Sequence, residues 1–346
     1  MLMKLFTSEL SNLIVPMLLS FIISIIFTPI VIKIAYHVNA IDIPKDDRRV
    51  HTKPIPRLGG LSIYVACMIS LATFNKLPDN KLLGIIVGST LIVFMGFIDD
   101  INPISAKNKL LVQIISAGIL VYNNIRIISF SNPLSINSSP IILNEYISII
   151  LSIIWIVGIT NTFNLIDGLD GLTTGIATIS SLMLSYIAFI NGRYEFTMIT
   201  LIIVGACLGF LPYNFNPAKI FMGDTGSLFL GFMLSAISLD GTLKSATAIT
   251  VLIPVCVLAI PIIDTVTSII RRLCRGQSPF EADKEHIHHK LMKKGLGQKK
   301  TVLFLYLINS LFGITGILII NKRYIFAICL LLITIIILYM NIRQNK

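Results

Sequence analysis

Eleven apolar runs divide the chain, near residues 13–36, 59–75, 82–98, 109–123, 146–160, 172–190, 198–212, 227–239, 247–269, 302–320 and 324–341. Crossing the hydrocarbon of a bilayer takes about 20 helical residues, and several of these runs lie near the short limit. In lipid no backbone polar group can go unpaired. A helix satisfies its own; a barrel satisfies them only by pairing strands of alternating polarity. These runs are uniformly apolar, so the expectation is an all-α, polytopic integral membrane protein of about eleven transmembrane helices. Composition agrees: 55% of the 346 residues are hydrophobic and 13% charged, against about a quarter charged in a soluble domain. The first run is too long for the apolar core of a signal peptide and reads as a retained helix. The gaps leave no room for a soluble domain, so residues 1–346 read as a single membrane-embedded unit whose longest loop is 270–301.

The net charge of +11 is unevenly placed. When the gaps between runs are numbered alternately, one set holds 37–58, 99–108, 161–171, 213–226, 270–301 and the C-terminal tail. With Lys33 and Lys109 at its borders, that set carries 20 of the 28 lysines and arginines. Positive loops stay cytoplasmic, which places this set in the cytoplasm of a cell-membrane protein, the N-terminus outside and the C-terminus inside. The basic excess is thus a topology signal, and no nucleic-acid partner is expected. Topology does not demand acids, yet 12 of the 17 Asp and Glu lie on the same side, as do all five histidines, His37, His51, His286, His288 and His289. A transporter would place ionisable groups near the bilayer midplane. An enzyme drawing a soluble substrate from the cytoplasm would place them at these helix mouths. A non-catalytic lipid-binding scaffold is the other competing class.

The five cysteines, Cys67, Cys207, Cys256, Cys274 and Cys329, form no CxxC pair, so neither a disulfide framework nor a zinc site is indicated. The HIHH run, His286 to His289, has no supporting Cys or carboxylate pattern for structural zinc and suits phosphate chemistry better.

Four acidic stretches gather on that side. GFIDDINPISAK ends the third run with Asp99 and Asp100 and continues to Lys107. NTFNLIDGLDGL supplies Asn161, Asn164, Asp167 and Asp170. NPAKIFMGDTGS sets Asp224 just ahead of the eighth run. PIIDTVTSIIRR places Asp264 before Arg271 and Arg272. Adjacent carboxylates repel, and crowded at a membrane edge they need a cation or a shifted pKa. Carboxylates mixed with amides suit Mg²⁺, with Mn²⁺ able to substitute. At three-residue spacing each helical step turns about −60°, so Asn164 and Asp167 share a face and form the preferred pair. Asp170 is open between a helix cap and a substrate contact. GDTGS resembles a helix N-terminus whose Thr225, Gly226 and Ser227 donate to phosphate oxygens while Asp224 holds a metal. Arg271 and Arg272 are candidate phosphate or sugar contacts.

Taken together, HTKPIPRLGG, GFIDD, NTFNLIDGLDGL, NPAKIFMGDTGS and RRLCRGQSPFEADKEHIHHKL, in that order, resemble the polyprenyl-phosphate N-acetylhexosamine-1-phosphate transferase family over nearly the whole chain. The histidine loop is similar to the bacterial branch that uses UDP-GlcNAc and undecaprenyl phosphate to start teichoic acid, O-antigen or related polymers. The HHHFE pattern of the muramoyl-pentapeptide branch is absent. The resemblance implies that a lipid phosphate attacks the β-phosphate of a UDP-aminosugar and UMP leaves. It further implies Asn164 and Asp224 as metal-site residues and Asp99 or Asp100 as base or lipid-phosphate ligand. Lys107, Asp167, His286, His288 and His289 become active-site residues, and Arg57 a substrate contact. A homodimer is compatible with this reading.

Overall fold

The computed structural model describes residues 2–43, 53–74, 78–130, 141–240, 252–277 and 285–343. His51, residues 278–284 of the long loop and the start of the ninth run, 247–251, lie outside the described residues. The helices are α1 (Leu2–His37), α2 (Gly60–Phe74), α3 (Asp79–Ile101), α4 (Ala106–Tyr122), α5 (Glu145–Ile166), α6 (Leu172–Ile190), α7 (Tyr194–Asn214), α8 (Gly223–Asp240), α9 (Leu252–Val257), α10 (Ala259–Cys274), α11 (Ile287–Lys293), α12 (Gln298–Ile320) and α13 (Tyr324–Ile342). The chain is an all-α, polytopic membrane protein. Each apolar run has become a helix, except that the ninth is broken between α9 and α10. Among the described residues seven helices are long and apolar enough to cross a membrane. Others are shorter: α2 has 15 residues and α10 has 16.

Two antiparallel pairs, β1 (Ile41–Asp42) with β2 (Ile55–Pro56) and β3 (Ser129–Phe130) with β4 (Ile141–Ile142), are only two residues per strand and tie loops down. All five cysteines are free; Cys67, Cys207 and Cys256 are buried, Cys274 and Cys329 exposed.

The centre of the bundle is α8, in which every residue from Thr225 to Asp240 is buried. A helix that is apolar all round belongs inside, and α2, α3, α5 and α6 pack around it. Between helices in lipid there is no hydrophobic driving force beyond that of the lipid itself, so close packing and polar glue decide the arrangement. At the α2–α8 contact Gly60 meets Gly226 so closely that a Cβ on either would overlap the other's backbone. Along α1, Ser20 donates to the Ile202 carbonyl at 2.8 Å and Ser24 to that of Ala206 at 2.7 Å, fastening α1 to α7.

The up-and-down course sets the functional end. The C-terminal ends of α3, α5 and α7, the link between α5 and α6 and the N-terminal end of α8 contribute to one cleft at a single end of the bundle. The segment ahead of α2, the start of α12 and α11 complete it. A short ladder joins two of its walls: Phe221 N donates to Pro56 O at 2.8 Å, Gly59 N to Phe221 O at 2.9 Å and Gly60 N to Met222 O at 2.8 Å. The PIPRLGG and FMGD segments are thereby locked side by side.

Candidate active site

The cleft has a volume of about 700 Å³. Five carboxylates line it, Asp42, Asp100, Asp167, Asp170 and Asp224, facing Lys53, Arg57, Lys219 and His289.

Asp224 sits in the first turn of α8 and is held from two sides. Asn164, near the end of α5, donates from Nδ2 to Asp224 Oδ1 at 2.9 Å and to Ser227 Oγ at 3.0 Å. Lys109 Nζ lies 2.7 Å from Asp224 Oδ2 and 2.7 Å from Asp99 Oδ2. One ammonium thus joins the end of α3 to the start of α8 from a position in α4. Lys107, by contrast, is exposed and does not line the cleft. The sequence marked Lys109 only as a border of the fourth run, because a lysine at the edge of an apolar stretch looks like a topology signal.

Asp100 and Asp99 are both buried. Asp100 accepts from Asp224 N and Thr225 N, each at 3.0 Å, and from Thr225 Oγ1 at 2.6 Å. The free N–H groups of a helix start need acceptors, and here they are supplied from the neighbouring helix. This corrects the expectation that Thr225 and Gly226 offer donors to phosphate. Both are buried, the Thr225 donors are spent on Asp100, and Gly226 is used for close packing. Asp99 Oδ1 accepts from Ile104 N at 2.7 Å, turning the chain from α3 towards α4. Arg57 donates from Nε to Asp100 O at 3.0 Å and from Nη2 to Asp99 O at 3.2 Å. It covers the open carbonyls of the α3 C-terminus, where a cation is favoured by the helix dipole.

The NTFNLIDGLDGL residues separate by role. Asn161 forms a reciprocal amide pair with Gln113, Nδ2 to Oε1 at 2.6 Å and Nε2 to Oδ1 at 3.2 Å, which braces α5 against α4 outside the cleft. Asp167 caps the end of α5 and faces the cleft. Burial pushes its carboxyl up to about 7, with the charges of Asp224 and Asp170 adding and the Thr173 hydroxyl opposing. Asp170 Oδ2 accepts from Asn216 Nδ2 at 2.9 Å and Ala218 N at 3.1 Å. It therefore holds the NPAK segment, which carries Lys219 into the cleft wall.

The histidines form a cluster on and just before α11. Asp264, buried in α10, accepts from Ile287 N at 2.7 Å and stands 2.7 Å from His286 Nδ1. It caps α11 and orients His286 at once. The His286 and His288 rings are parallel at 5.7 Å, and His288 lies 4.2 Å from His289. His286 and His288 are buried; only His289 lines the cleft. His288 packs on Gly168, where a Cβ would come within 2.6 Å of Nε2. Burial and the neighbouring His289 push the His288 pKa down to about 3, so its imidazole is neutral at physiological pH. Among the described residues no three His, Cys, Asp or Glu side chains converge as a metal cage.

Arg271 and Arg272 do not line the cleft. Arg271 pairs with Glu285 at 3.2 Å and Arg272 is buried. The cleft residues that sequence reading passed over are Asp42, Lys53, Lys219, Asn216 and Gln298. Their only signal was membership of quoted motifs or of a loop that looked like a topology marker.

A polytopic helical bundle whose polar chemistry is concentrated at one end, with acids and amides facing lysine and arginine, is built to handle phosphate at a membrane boundary. The chain belongs to glycosyl transferase family 4: the family's profile matches residues 82–242, from α3 through α8, and curated relatives extend the match over nearly the whole chain. It is 39% identical over 331 residues to the Bacillus subtilis protein named "Probable undecaprenyl-phosphate N-acetylglucosaminyl 1-phosphate transferase", covering 96% of this chain and 91% of that one. It is 33% identical to the "Decaprenyl-phosphate N-acetylglucosaminephosphotransferase" of Mycolicibacterium smegmatis, over 79% of this chain and 74% of that one. It is 32% identical to the "Undecaprenyl-phosphate alpha-N-acetylglucosaminyl 1-phosphate transferase" of Thermotoga maritima, over 86% and 87%.

Proposed function

We propose that this chain transfers N-acetylglucosamine 1-phosphate from UDP-GlcNAc to undecaprenyl phosphate. The observation that carries the reading is Asp224, fixed between Lys109 and Asn164 at the mouth of an acidic cleft that also presents Lys53, Arg57 and Lys219. The relatives' names supply the lipid acceptor and the transferred group; the UDP donor rests on the likeness of the histidine loop to the UDP-GlcNAc branch.

In the reaction an oxygen of the lipid phosphate attacks the β-phosphorus of the donor. The bond from that phosphorus to the bridging oxygen breaks, UMP leaves with the electron pair, and the lipid-linked pyrophosphoryl sugar forms. A phosphate monoester is already largely ionised at neutral pH, its second pKa being about 6, so the nucleophile needs little help from a base. Asp100 and Asp99 accordingly act as positioning residues. The first anchors the start of α8 and the second anchors Lys109. Catalysis then rests on alignment and on charge facing the pyrophosphate, with Lys53, Arg57, Lys219 and His289 as the cations and donors lining the cleft.

The donor set fits a hard divalent cation. Asp224, Asp167 and Asn164 all line the cleft and offer oxygen, and a cation among them would offset the burial, and the Asp224 and Asp170 charges added to it, that push Asp167 upward. Mg²⁺ needs only one or two carboxylates together with water and substrate phosphates, so a closed cage is unnecessary. Asp224, with Asn164 or Asp167, would hold Mg²⁺ or Mn²⁺, which supplies Lewis-acid stabilisation of the developing phosphate charge.

The expected setting is the cell membrane, with the cleft facing the cytoplasm, where a UDP-sugar is dissolved. The donor test compares UMP release by the purified protein with UDP-GlcNAc, UDP-GalNAc and UDP-MurNAc-pentapeptide. Preference for UDP-GlcNAc supports the reading, and exclusive use of the muramoyl donor reassigns the branch.

A further inference from the structure

A second pocket of about 380 Å³ opens away from the cleft, between α11, the end of α10 and the end of α13. Among the described residues Arg275, Lys290, Lys293 and Arg343 line it with one carboxylate, Glu285, and with Tyr339 and Ile342. We infer that this pocket binds the phosphate of an anionic lipid headgroup.

Position comes first. α13 has 19 residues, about 28 Å of helix, close to the thickness of the hydrocarbon. It buries only Ala327, Thr334 and Leu338, so most of its surface faces lipid. Its last turn therefore lies at the level of the headgroups. Tyr339 there is a side chain of the interfacial type, and Arg343 follows directly, 5.9 Å from the Tyr339 ring. Long cationic side chains at such a depth lay their stems on apolar surface and carry the charge to the headgroups.

Charge decides the ligand. Glu285 is engaged by Arg275 at 3.1 Å and by Arg271 at 3.2 Å. The acid therefore answers the α10 side of the pocket, while Lys293 and Arg343 line it from the α11 and α13 side. Serving the C-terminal dipoles of α10 and α13 would account for one cation on each helix. Lys290 and Lys293 stand likewise in the last turn of α11, but a dipole role for each helix end does not require all four cations to line one cavity. Cations converging from three helices, with an arginine able to grip two oxygens, suit a phosphodiester. The opening at the bilayer interface supplies that group from the lipid.

The site shares α11 with the cleft. His289 lines the cleft while Lys290 and Lys293 line the pocket, and Lys294 Nζ donates to Met340 O at 3.2 Å across the α11–α13 seam. A bound headgroup therefore adds a clamp on the far side of the histidine helix.

The test uses the full-length protein in nanodiscs of phosphatidylcholine alone, and of phosphatidylcholine with a minor fraction of phosphatidylglycerol. Native mass spectrometry after gentle release counts the phosphatidylglycerol retained. The wild type is expected to keep it, and Lys293→Glu with Arg343→Glu to lower retention about tenfold or more. Lys293→Gln with Arg343→Gln, checked for an unchanged thermal midpoint, should show an intermediate loss. Equal retention in the wild type and the charge-reversed variant overturns the site. Inorganic phosphate displacing the lipid stoichiometrically at physiological concentration would reassign the pocket to a soluble anion and overturn the lipid assignment.

Discussion

Lys109 stands 2.7 Å from a carboxylate oxygen of Asp99 and 2.7 Å from one of Asp224. A single cation on α4 therefore fixes the acid at the start of α8 to the acid at the end of α3. Removing it leaves two carboxylates facing each other without compensation, and Asp224 loses one of its two supports. Lys109→Met should lower turnover by about 10²-fold, the scale of one lost electrostatic group in a water-poor site. Lys107→Ala, at an exposed position two residues earlier, should stay near wild type. Equal losses in the two variants, measured by UMP release, would contradict the assignment.

Asp167 gives the cleft a pH dependence. Its carboxyl is held near 7 by burial and by the charges of Asp224 and Asp170, against an ordinary 3.8. At limiting Mg²⁺, kcat/KM should therefore show an acid limb as pH drops through about 7, because protonation competes with the cation for this carboxylate, and Asp167→Asn should weaken that limb. Stability runs the other way. The folded chain keeps this proton to higher pH than the unfolded chain does, so protonation favours folding. That contribution is complete below about 3.8 and is lost as pH rises through about 7. A profile flat from pH 5 to 8 in the wild type would sink the role given to Asp167. His288, held near 3, adds no limb in that range.

Asp264 lies outside the cleft but holds the histidine helix. Asp264→Ala would leave Ile287 N and His286 Nδ1 without their acceptor, at about 1–3 kcal/mol for each buried group left unpaired. The thermal midpoint should fall. In a sample kept below that midpoint kcat should fall with it, because His289 loses its seat. Wild-type turnover in Asp264→Ala would show that the order of α11 does not matter to the reaction.

Orientation is tested by a cysteine at Lys293 in a Cys274→Ser background. Cys274 is exposed and would label by itself; Cys329 is exposed as well, in the lipid-facing span α13, and provides the background control. An impermeant thiol reagent should leave the new cysteine unlabelled in intact cells and label it after permeabilisation. Labelling without permeabilisation would place the loop, and the cleft with it, outside.

The helices were legible because lipid leaves the backbone no alternative, and each apolar run became helical. The break between α9 and α10 was not legible: proline occurs in both pieces, at Pro254 and Pro261, and an apolar run reads the same whether straight or broken. The acids of the cleft were legible as types. Their division of labour was not, because it depends on contacts between distant segments. Asp100 looked like a reacting group and is spent on the start of α8. Asn161 shares the spacing of Asn164 and turned to Gln113 instead. Thr225 and Gly226 followed a phosphate-binding pattern, but the third dimension had already supplied the partner. Lys109 was invisible as a site residue because nothing in its local sequence distinguishes it from a topology-setting lysine.

The central claim is that the Asp224 cleft joins a soluble nucleotide sugar to a lipid phosphate. The direct measurement is UMP release by the purified protein from UDP-GlcNAc in Mg²⁺, with and without undecaprenyl phosphate, beside Asp224→Ala. The expected result is release that requires the lipid acceptor, stops in EDTA and returns with added Mg²⁺. In Asp224→Ala it should fall by at least about 10²-fold while the variant still elutes as a folded protein in detergent. Release that is independent of undecaprenyl phosphate, or that survives in Asp224→Ala, would contradict it.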